Sequence, residues 1–77
     1  MNKAQKATVT YLKNDLLAKE AKLVDENLMG EPIVLINPGA GMDLQEFVIA
    51  KDGKATKTAT YKPSLELSSL MMDSESL

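Results

Sequence analysis

The pattern of hydrophobic and polar residues divides the first 30 positions into two stretches. Residues 7–12 are rich in β-branched and aromatic side chains, which suits a short strand, and an early start of the following helix would include them as well. Good helix formers dominate from Asn14 onward. The sequence therefore predicts a helix with Asn14 as its N-cap and Gly30 as its stop, and leaves residues 7–12 as strand or helix.

The apolar residues of this predicted helix follow two lines along its surface. Leu16 and Leu23 lie on one side. A second line at spacings of four, three and four contains Leu17, Ala21, Val24 and Leu28. A helix at the surface of a small domain usually buries a single stripe. Two explanations stay open: the helix has one broad buried face, or the second line packs against another chain.

Strands are predicted in the middle of the chain. Residues 32–36 form a continuous apolar run, which is typical of a strand covered on both faces or of a strand buried in the middle of a sheet. Strand-like sequence resumes over residues 44–50 and again from residue 55. The middle of the chain is therefore expected to form a sheet on which the helix packs.

The clearest local signal is Asp52-Gly53 between two strand-like runs, which predicts a hairpin with a two-residue loop. That loop pairs Ile49 with Thr56 and Glu46 with Ala59. Neither face of the resulting hairpin is cleanly polar, although a free two-layer domain leaves one sheet face in water. A partner is therefore expected to cover part of the second face.

The composition changes once, near Pro63. All nine lysines precede Pro63 and every serine follows it. Proline together with a change in charge marks a boundary, so we divide the chain into a single small α+β body, residues 1–62, and a C-terminal docking arm, residues 63–77. Within the arm, residues 73–77 are expected to be a solvated end.

The arm is rich in large apolar residues, which exposed tails normally lack, so it is expected to dock. The spacing of Leu67, Leu70 and Met71 favours a short amphipathic helix. The alternation of Leu65 and Leu67 favours an added strand instead. Met71 and Met72 offer an adaptable contact surface in either case.

Composition limits the chemistry that the chain can perform. The 77 residues carry a formal net charge of −2 and include no Cys, no His, no Arg and no Trp. Ser-His and Cys-His sites cannot be built, and zinc would lack its nitrogen and sulfur ligands. Base reading and stacking on nucleic acids rely on Arg and aromatic residues, and the lysines here are spread among eleven acids. We therefore expect no enzyme, no metal site and no nucleic-acid partner.

Two motifs suggest a ligand site and lack the residues that it needs. Gly39-Ala40-Gly41 follows an apolar strand, but Leu44 stands where a dinucleotide fingerprint has its third glycine. Asp25-Glu26 lacks the interleaved loop of a calcium site. No cofactor is expected. The start of the chain has no signal-peptide pattern and no run is long enough to cross a bilayer, so cytoplasmic synthesis without a membrane partner is expected.

The order of the predicted elements before the central strand resembles that of a known protein family. A strand over residues 7–12 and a helix lead into Gly30-Glu31-Pro32, which resembles the strand entry of antitoxins of the prevent-host-death family. The resemblance implies a dimer that binds operator DNA while its tail covers a toxin. This chain departs from that family because it lacks the arginine of the N-terminal helix, and because a third strand follows where the family's second helix begins.

The sequence as a whole predicts an α+β fold: one amphipathic helix packed on a small three- to four-stranded, mainly antiparallel sheet, with an extended C-terminal arm. The predicted function is a non-enzymatic protein–protein interaction module, either a homo-oligomer or an accessory or structural subunit of a larger assembly, such as a phage virion decoration or assembly protein incorporated into the particle. The alternative is a soluble regulator that inhibits a target protein, such as an antitoxin or a phage-encoded anti-defence inhibitor. The residues expected to bind the partner are apolar residues of the second helical line and of the arm: Leu17, Val24, Leu28, Leu65, Leu67, Leu70, Met71 and Met72.

Overall fold

The computed structural model describes all 77 residues as a five-stranded antiparallel sheet with one helix on each face. In chain order the elements are α1 (Lys3–Asp15), β1 (Glu20–Glu26), β2 (Pro32–Asn37), β3 (Leu44–Ile49), β4 (Ala55–Tyr61), α2 (Leu65–Met72) and β5 (Glu75–Ser76). Across the sheet the strands lie in the order β4-β3-β2-β1-β5. The predicted fold class is confirmed, and the sheet has five strands because β1 and β5 both join it.

Helix α1 occupies the residues that the sequence leaves open between strand and helix. The Asn2 side chain accepts a hydrogen bond from Gln5 N at 2.9 Å, and the Gln5 side chain accepts one from Asn2 N at 2.9 Å. This reciprocal capping box satisfies amide donors that no helical carbonyl reaches. It sets the start of the helix well before the predicted N-cap, Asn14, which lies instead in the last turn of α1.

The end of α1 is also set locally. Leu17 has a positive φ of 51°, and the amides of Leu17 and Ala18 donate to the carbonyls of Asn14 and Lys13 at 3.3 and 2.8 Å. These two bonds form a Schellman motif, in which the left-handed position is usually glycine. The chain therefore leaves the helix at Leu17 and turns directly into β1.

The helix predicted from Asn14 to Gly30 is wrong, because β1 occupies much of that range. The residues there are good helix formers in isolation, but β2 needs hydrogen-bonding neighbours on both edges. Strand β1 supplies one neighbour, with Ala21 opposite Ile36. This pairing outweighs a helix preference of at most about 0.7 kcal/mol per residue. The two helical lines of apolar residues therefore do not exist as surfaces.

One half of the core lies between the sheet and α1. Val34 and Ile36, both 0% exposed, pack there with Val9 and Leu12 of α1 and with Phe47 of β3. Val9 and Leu12 are at helical spacing on the inner side of α1, so the helix buries one stripe, as a surface helix usually does.

The other half of the core lies on the opposite face of the sheet. Leu35 alternates with its neighbours along β2 and points to this side, where it packs with Leu44 and Met71. Val24 and Leu67 are partly buried against them. Strand β2 is therefore covered on both faces, which confirms the prediction from its continuous apolar run.

Two hairpin loops have the same backbone geometry. In the β1–β2 loop, Gly30 N donates to Asn27 O at 2.9 Å, and Asn27 N donates to Glu31 O at 3.0 Å. The β3–β4 loop, residues 50–54, repeats both bonds at 2.9 Å around Gly53. The two glycines have φ values of 76° and 93°, and glycine in this conformation closes a three-residue hairpin loop.

The three-residue loop shifts the predicted register of the β3–β4 hairpin by one position near the turn. Ile49 pairs with Ala55 rather than with Thr56, because Asp52-Gly53 forms the last two positions of the loop and not its two central positions. A bulge farther along β4 then restores the predicted pairing of Glu46 with Ala59.

The C-terminal arm folds onto the chain's own sheet as a helix followed by a strand. Ser64 caps α2 by accepting a hydrogen bond from Leu67 N at 3.1 Å. Strand β5 pairs with β1, and Leu77 N donates to Ala21 O at 2.9 Å. The expectation of a solvated end over residues 73–77 holds for the side chains of Asp73, Glu75 and Ser76, which are exposed. It does not hold for the backbone of β5, which covers the edge that β1 would otherwise expose, or for Leu77, which packs against the α1 side of the core.

The two loop glycines give a matched test of the turns. Alanine at either position must adopt a positive φ, at a cost of about 1–2 kcal/mol. A Cβ at Gly30 meets nothing within 4 Å, whereas at Gly53 it lies 3.1 Å from Thr8 Oγ1 and 3.2 Å from Ala4 O. In urea denaturation we expect Gly53→Ala to lower the free energy of unfolding more than Gly30→Ala. Equal losses would contradict the contact between the β3–β4 loop and α1.

Adjacent methionines test the docking of α2. Met71 is 2% exposed and Met72 is 80% exposed. We expect Met71→Ala to lower the free energy of unfolding by about 2 kcal/mol or more, because it leaves a cavity in the core. Met72→Ala should change it by less than about 0.5 kcal/mol. Denaturation curves that give similar values for both variants would contradict the orientation of α2.

Candidate functional site

The structure separates the eight residues predicted to bind a partner into a covered set and an exposed set. Val24, Leu67 and Met71 pack in the cluster beneath α2, so their contacts lie within the chain. The other five are exposed: Leu17, Leu28, Leu65, Leu70 and Met72. They do not form one surface, because β1 replaces the predicted helix. Leu17 precedes β1, Leu28 follows it, and the other three residues belong to α2.

The most exposed of the large apolar side chains is Leu28, in the loop formed by residues 27–31 between β1 and β2. We call this segment the Leu28 loop. Met29, the next residue, is 75% exposed. Neither residue belongs to a core cluster. Two adjacent large apolar side chains therefore project from one end of the sheet.

The Leu28 loop is held in place by the side chain of Asn27. Asn27 Oδ1 accepts hydrogen bonds from Met29 N at 3.0 Å and from Glu31 N at 2.9 Å. Asn27 Nδ2 donates to Glu31 Oε1 at 2.9 Å. Together with the two backbone bonds across the loop, these contacts order the turn. An ordered loop has little conformational entropy left to lose when it binds.

The β3–β4 loop, residues 50–54, provides an internal comparison, and we call it the Lys51 loop. It has the same backbone hydrogen bonds as the Leu28 loop, but it carries Lys51 and Asp52 at the positions of Leu28 and Met29. Polar residues are typical of such positions. The turn therefore does not require apolar side chains, and nothing in the fold explains Leu28 and Met29.

Charged residues border the Leu28 loop. Asp25 and Glu26 precede its apolar pair and Glu31 follows it, while no lysine lies between Lys22 and Lys51. The Lys51 loop carries two lysines and one aspartate. The two loops therefore differ in the sign of their charge as well as in their apolar character.

Sequence reasoning does not identify Met29 or Met42, and both are exposed. For Met29 the available signal was its place between Asn27 and Gly30, a turn pattern in which an apolar pair is unusual. The predicted helix concealed that signal, because it extended through the turn. For Met42, in the β2–β3 loop, the sequence offers no comparable signal.

A second apolar surface lies at the opposite end of the sheet. Leu17 precedes β1, Met42 precedes β3 and Leu65 begins α2, and all three are exposed. Leu17 holds a left-handed conformation that costs an L-residue about 1–2 kcal/mol. Each of these side chains comes from a different segment, whereas Leu28 and Met29 are adjacent in one ordered loop.

A groove of about 310 Å³ lies between α1 and β5. Its charged residues are Lys6, Lys13 and Glu75. Lys13 Nζ donates to Leu77 O at 2.7 Å, and the Thr10 hydroxyl donates to Lys6 O at 3.1 Å. Among the side chains that line the groove, the Ser76 hydroxyl accepts a hydrogen bond from Lys22 Nζ at 2.7 Å, and no two acidic side chains are paired. No group of three or more acidic, His or Cys side chains is arranged to hold a metal ion.

The one marked change in pKa belongs to Tyr61, at the end of β4. The Tyr61 hydroxyl donates to Glu46 Oε2 at 3.0 Å, and Thr58 Oγ1 donates to Glu46 Oε1 at 2.7 Å. The hydrogen bond to Glu46, and then the negative charge of that carboxylate, raises the pKa of Tyr61 above its usual value of 10.0. The phenol therefore stays protonated near neutral pH and acts as a hydrogen-bond donor.

Because Tyr61 is hydrogen-bonded to Glu46, we expect the free energy of unfolding to fall at alkaline pH. A phenol whose pKa is higher in the folded chain stabilises that chain fully below pH 10.0, and the contribution is lost as the pH rises through the raised pKa. In a Tyr11→Phe background, where Tyr61 is the remaining tyrosine, we expect Glu46→Gln to lower the Tyr61 pKa towards 10.0. Absorbance titration of the phenolate measures this pKa, and an unchanged value would contradict the pairing.

No protein-family model, curated protein or solved structure matches the chain significantly. The first strand expected from the prevent-host-death resemblance is absent, because residues 7–12 lie inside α1, and β1 stands where the following helix was expected. Neither helix is long and apolar enough to span a bilayer.

Proposed function

We propose that the protein is a non-enzymatic protein-binding module that serves as a small accessory or structural subunit of a larger assembly. The observation that supports this most directly is the Leu28 loop. It is an ordered turn that presents two exposed apolar side chains at positions where the Lys51 loop has lysine and aspartate. An exposed apolar contact with a charged border is typical of protein interfaces.

A protein partner suits a projecting surface better than a small molecule does. Small-molecule sites are concave and bury most of the ligand, whereas Leu28 and Met29 point outward from the end of the sheet. A projecting apolar side chain stabilises a complex by filling a pocket on the other protein. Full burial of one leucine contributes about 1.5–3 kcal/mol.

The thin core favours a role within an assembly. Twelve of the 77 residues are buried in the isolated chain. A domain of this size covers a smaller share of its surface than a larger domain does, so additional burial against a partner adds to its stability. The exposed apolar residues at both ends of the sheet offer surface for such contacts.

The groove between α1 and β5 favours binding over catalysis. Acid–base catalysis needs a donor and an acceptor directed at one substrate atom. Lys13 already donates to Leu77 O, and Glu75 has the one acidic side chain that lines the groove. This arrangement supports a surface that binds rather than a pocket that reacts.

Exchange of two loop residues tests the proposal. In the double variant Leu28→Lys, Met29→Asp, the Leu28 loop carries at these two positions the residues that the Lys51 loop has at the equivalent positions. Neither residue belongs to the core, so we expect the free energy of unfolding to change by less than about 0.5 kcal/mol. Each tagged chain is purified from its native source, and the proteins that co-purify with it are quantified by mass spectrometry. We expect proteins that co-purify with the wild-type chain to be depleted in the sample from the exchanged variant.

Tyr11→Ser is the matched control, because Tyr11 is an exposed apolar residue on α1 and lies outside both loops. The control variant should keep the partners of the wild-type chain. An exchanged variant that folds normally and keeps every partner would contradict the proposal. Turnover of a small molecule by the purified chain would contradict it as well.

A further inference from the structure

Two hairpin loops lie side by side at one end of the sheet. Strands β1 and β3 both run antiparallel to β2, so the Leu28 loop and the Lys51 loop lie at the same end. Their centres are two strand spacings apart, about 10 Å. Helix α1 begins at this end too, because Asn2 Nδ2 donates to Lys51 O at 2.9 Å. We call this surface the loop end.

The loop end is divided by charge. The half that contains the Leu28 loop carries three carboxylates: Asp25, Glu26 and Glu31. The half that contains the Lys51 loop carries Lys51, Asp52 and Lys54, and the first turn of α1 adds Lys3. Three lysines and one aspartate give this half a charge of +2, against −3 for the other half.

A surface divided in this way is complementary to a copy of itself. When a second copy is turned by 180° about an axis perpendicular to the sheet, each Leu28 loop faces the Lys51 loop of the other copy. Opposite charges then meet twice, in a closed twofold interface. We propose that a second copy of this chain binds at the loop end. The inference rests on the proposed function, since it identifies what the Leu28 loop contacts.

Other contacts between two copies are less favourable. If like loops met, carboxylates would face carboxylates across the interface. Association through the free edge of β4 is opposed by Lys57 and by the bulge in that strand, since lysines and bulges both hinder pairing at sheet edges. Charge therefore favours the loop end and the crossed arrangement of its loops.

The apolar side chains fit this arrangement because lysine is apolar along most of its length. The methylene groups of Lys51 and Lys54 in one copy cover Leu28 and Met29 in the other, while their ammonium groups reach the carboxylates beside that loop. Each partner in a stable complex buries about 800 Å², and the loop end consists of two five-residue loops and the first turn of α1. We therefore expect a weak, reversible dimer that contributes one of several contacts in an assembly.

Charge exchange tests the inference on the purified chain. By sedimentation velocity we expect a concentration-dependent dimer at about 0.01 M ionic strength, which dissociates at about 1 M as the Debye length falls from about 30 Å to about 3 Å. Lys51→Glu with Lys54→Glu should raise the dissociation constant about tenfold or more, because like charges then meet. Asp25→Lys with Glu26→Lys should have the same effect. A one-to-one mixture of the two variants should restore a dimer, because opposite charges meet again at both contacts.

Circular dichroism first establishes that each variant is folded. Lys57→Glu on β4 is the matched control, and it should leave the dissociation constant of the dimer unchanged. A monomer at every concentration and at low ionic strength would overturn the inference. A one-to-one mixture that stays monomeric would also overturn the inference. A dimer that is weakened by Lys57→Glu and not by the loop variants would overturn it as well. The proposed function survives these results if other proteins still bind through the Leu28 loop, and it fails if the loop exchange changes no partner.

Discussion

Burial of β2 on both faces is the constraint on which the rest of the structure depends. Val34 and Ile36 need cover on one side of the sheet and Leu35 needs it on the other, and α1 and α2 provide that cover. The backbone of β2 needs partners on both edges, which β1 and β3 supply. One apolar strand therefore explains why residues 20–26 are extended and why the C-terminal arm returns to the sheet.

Under the proposed function, the same constraint leaves the ends of the sheet as the surface for binding. Two small clusters fill the interior, and the groove of about 310 Å³ lies outside them, at the surface between α1 and β5. Side chains in the strand connections are free of packing demands, so they can vary without loss of the fold. The Leu28 loop and the Lys51 loop illustrate this freedom, because the same backbone geometry carries an apolar pair in one loop and a charged pair in the other.

The candidate site is only partly predictable from the sequence. The sequence predicts Leu28 as a contact residue and the structure finds it exposed, but in a loop rather than on a helix. It also predicts Val24, Leu67 and Met71 for a partner, and these three pack within the chain. Apolar character indicates that a side chain tends to be covered, and it does not say whether the cover comes from the same chain or from another. That distinction depends on which segments meet in space.

The sequence by itself determined the elements whose signals are local. The apolar run of β2, the hairpin turn at Asp52-Gly53 and the helical spacing in α2 each depend on residues within a few positions of one another. The tertiary structure decided that residues 20–26 form β1, because the open edge of β2 requires hydrogen bonds that outweigh the local preference for helix. It decided the place of β5 for the same reason, since a two-residue strand exists only through the neighbour with which it pairs.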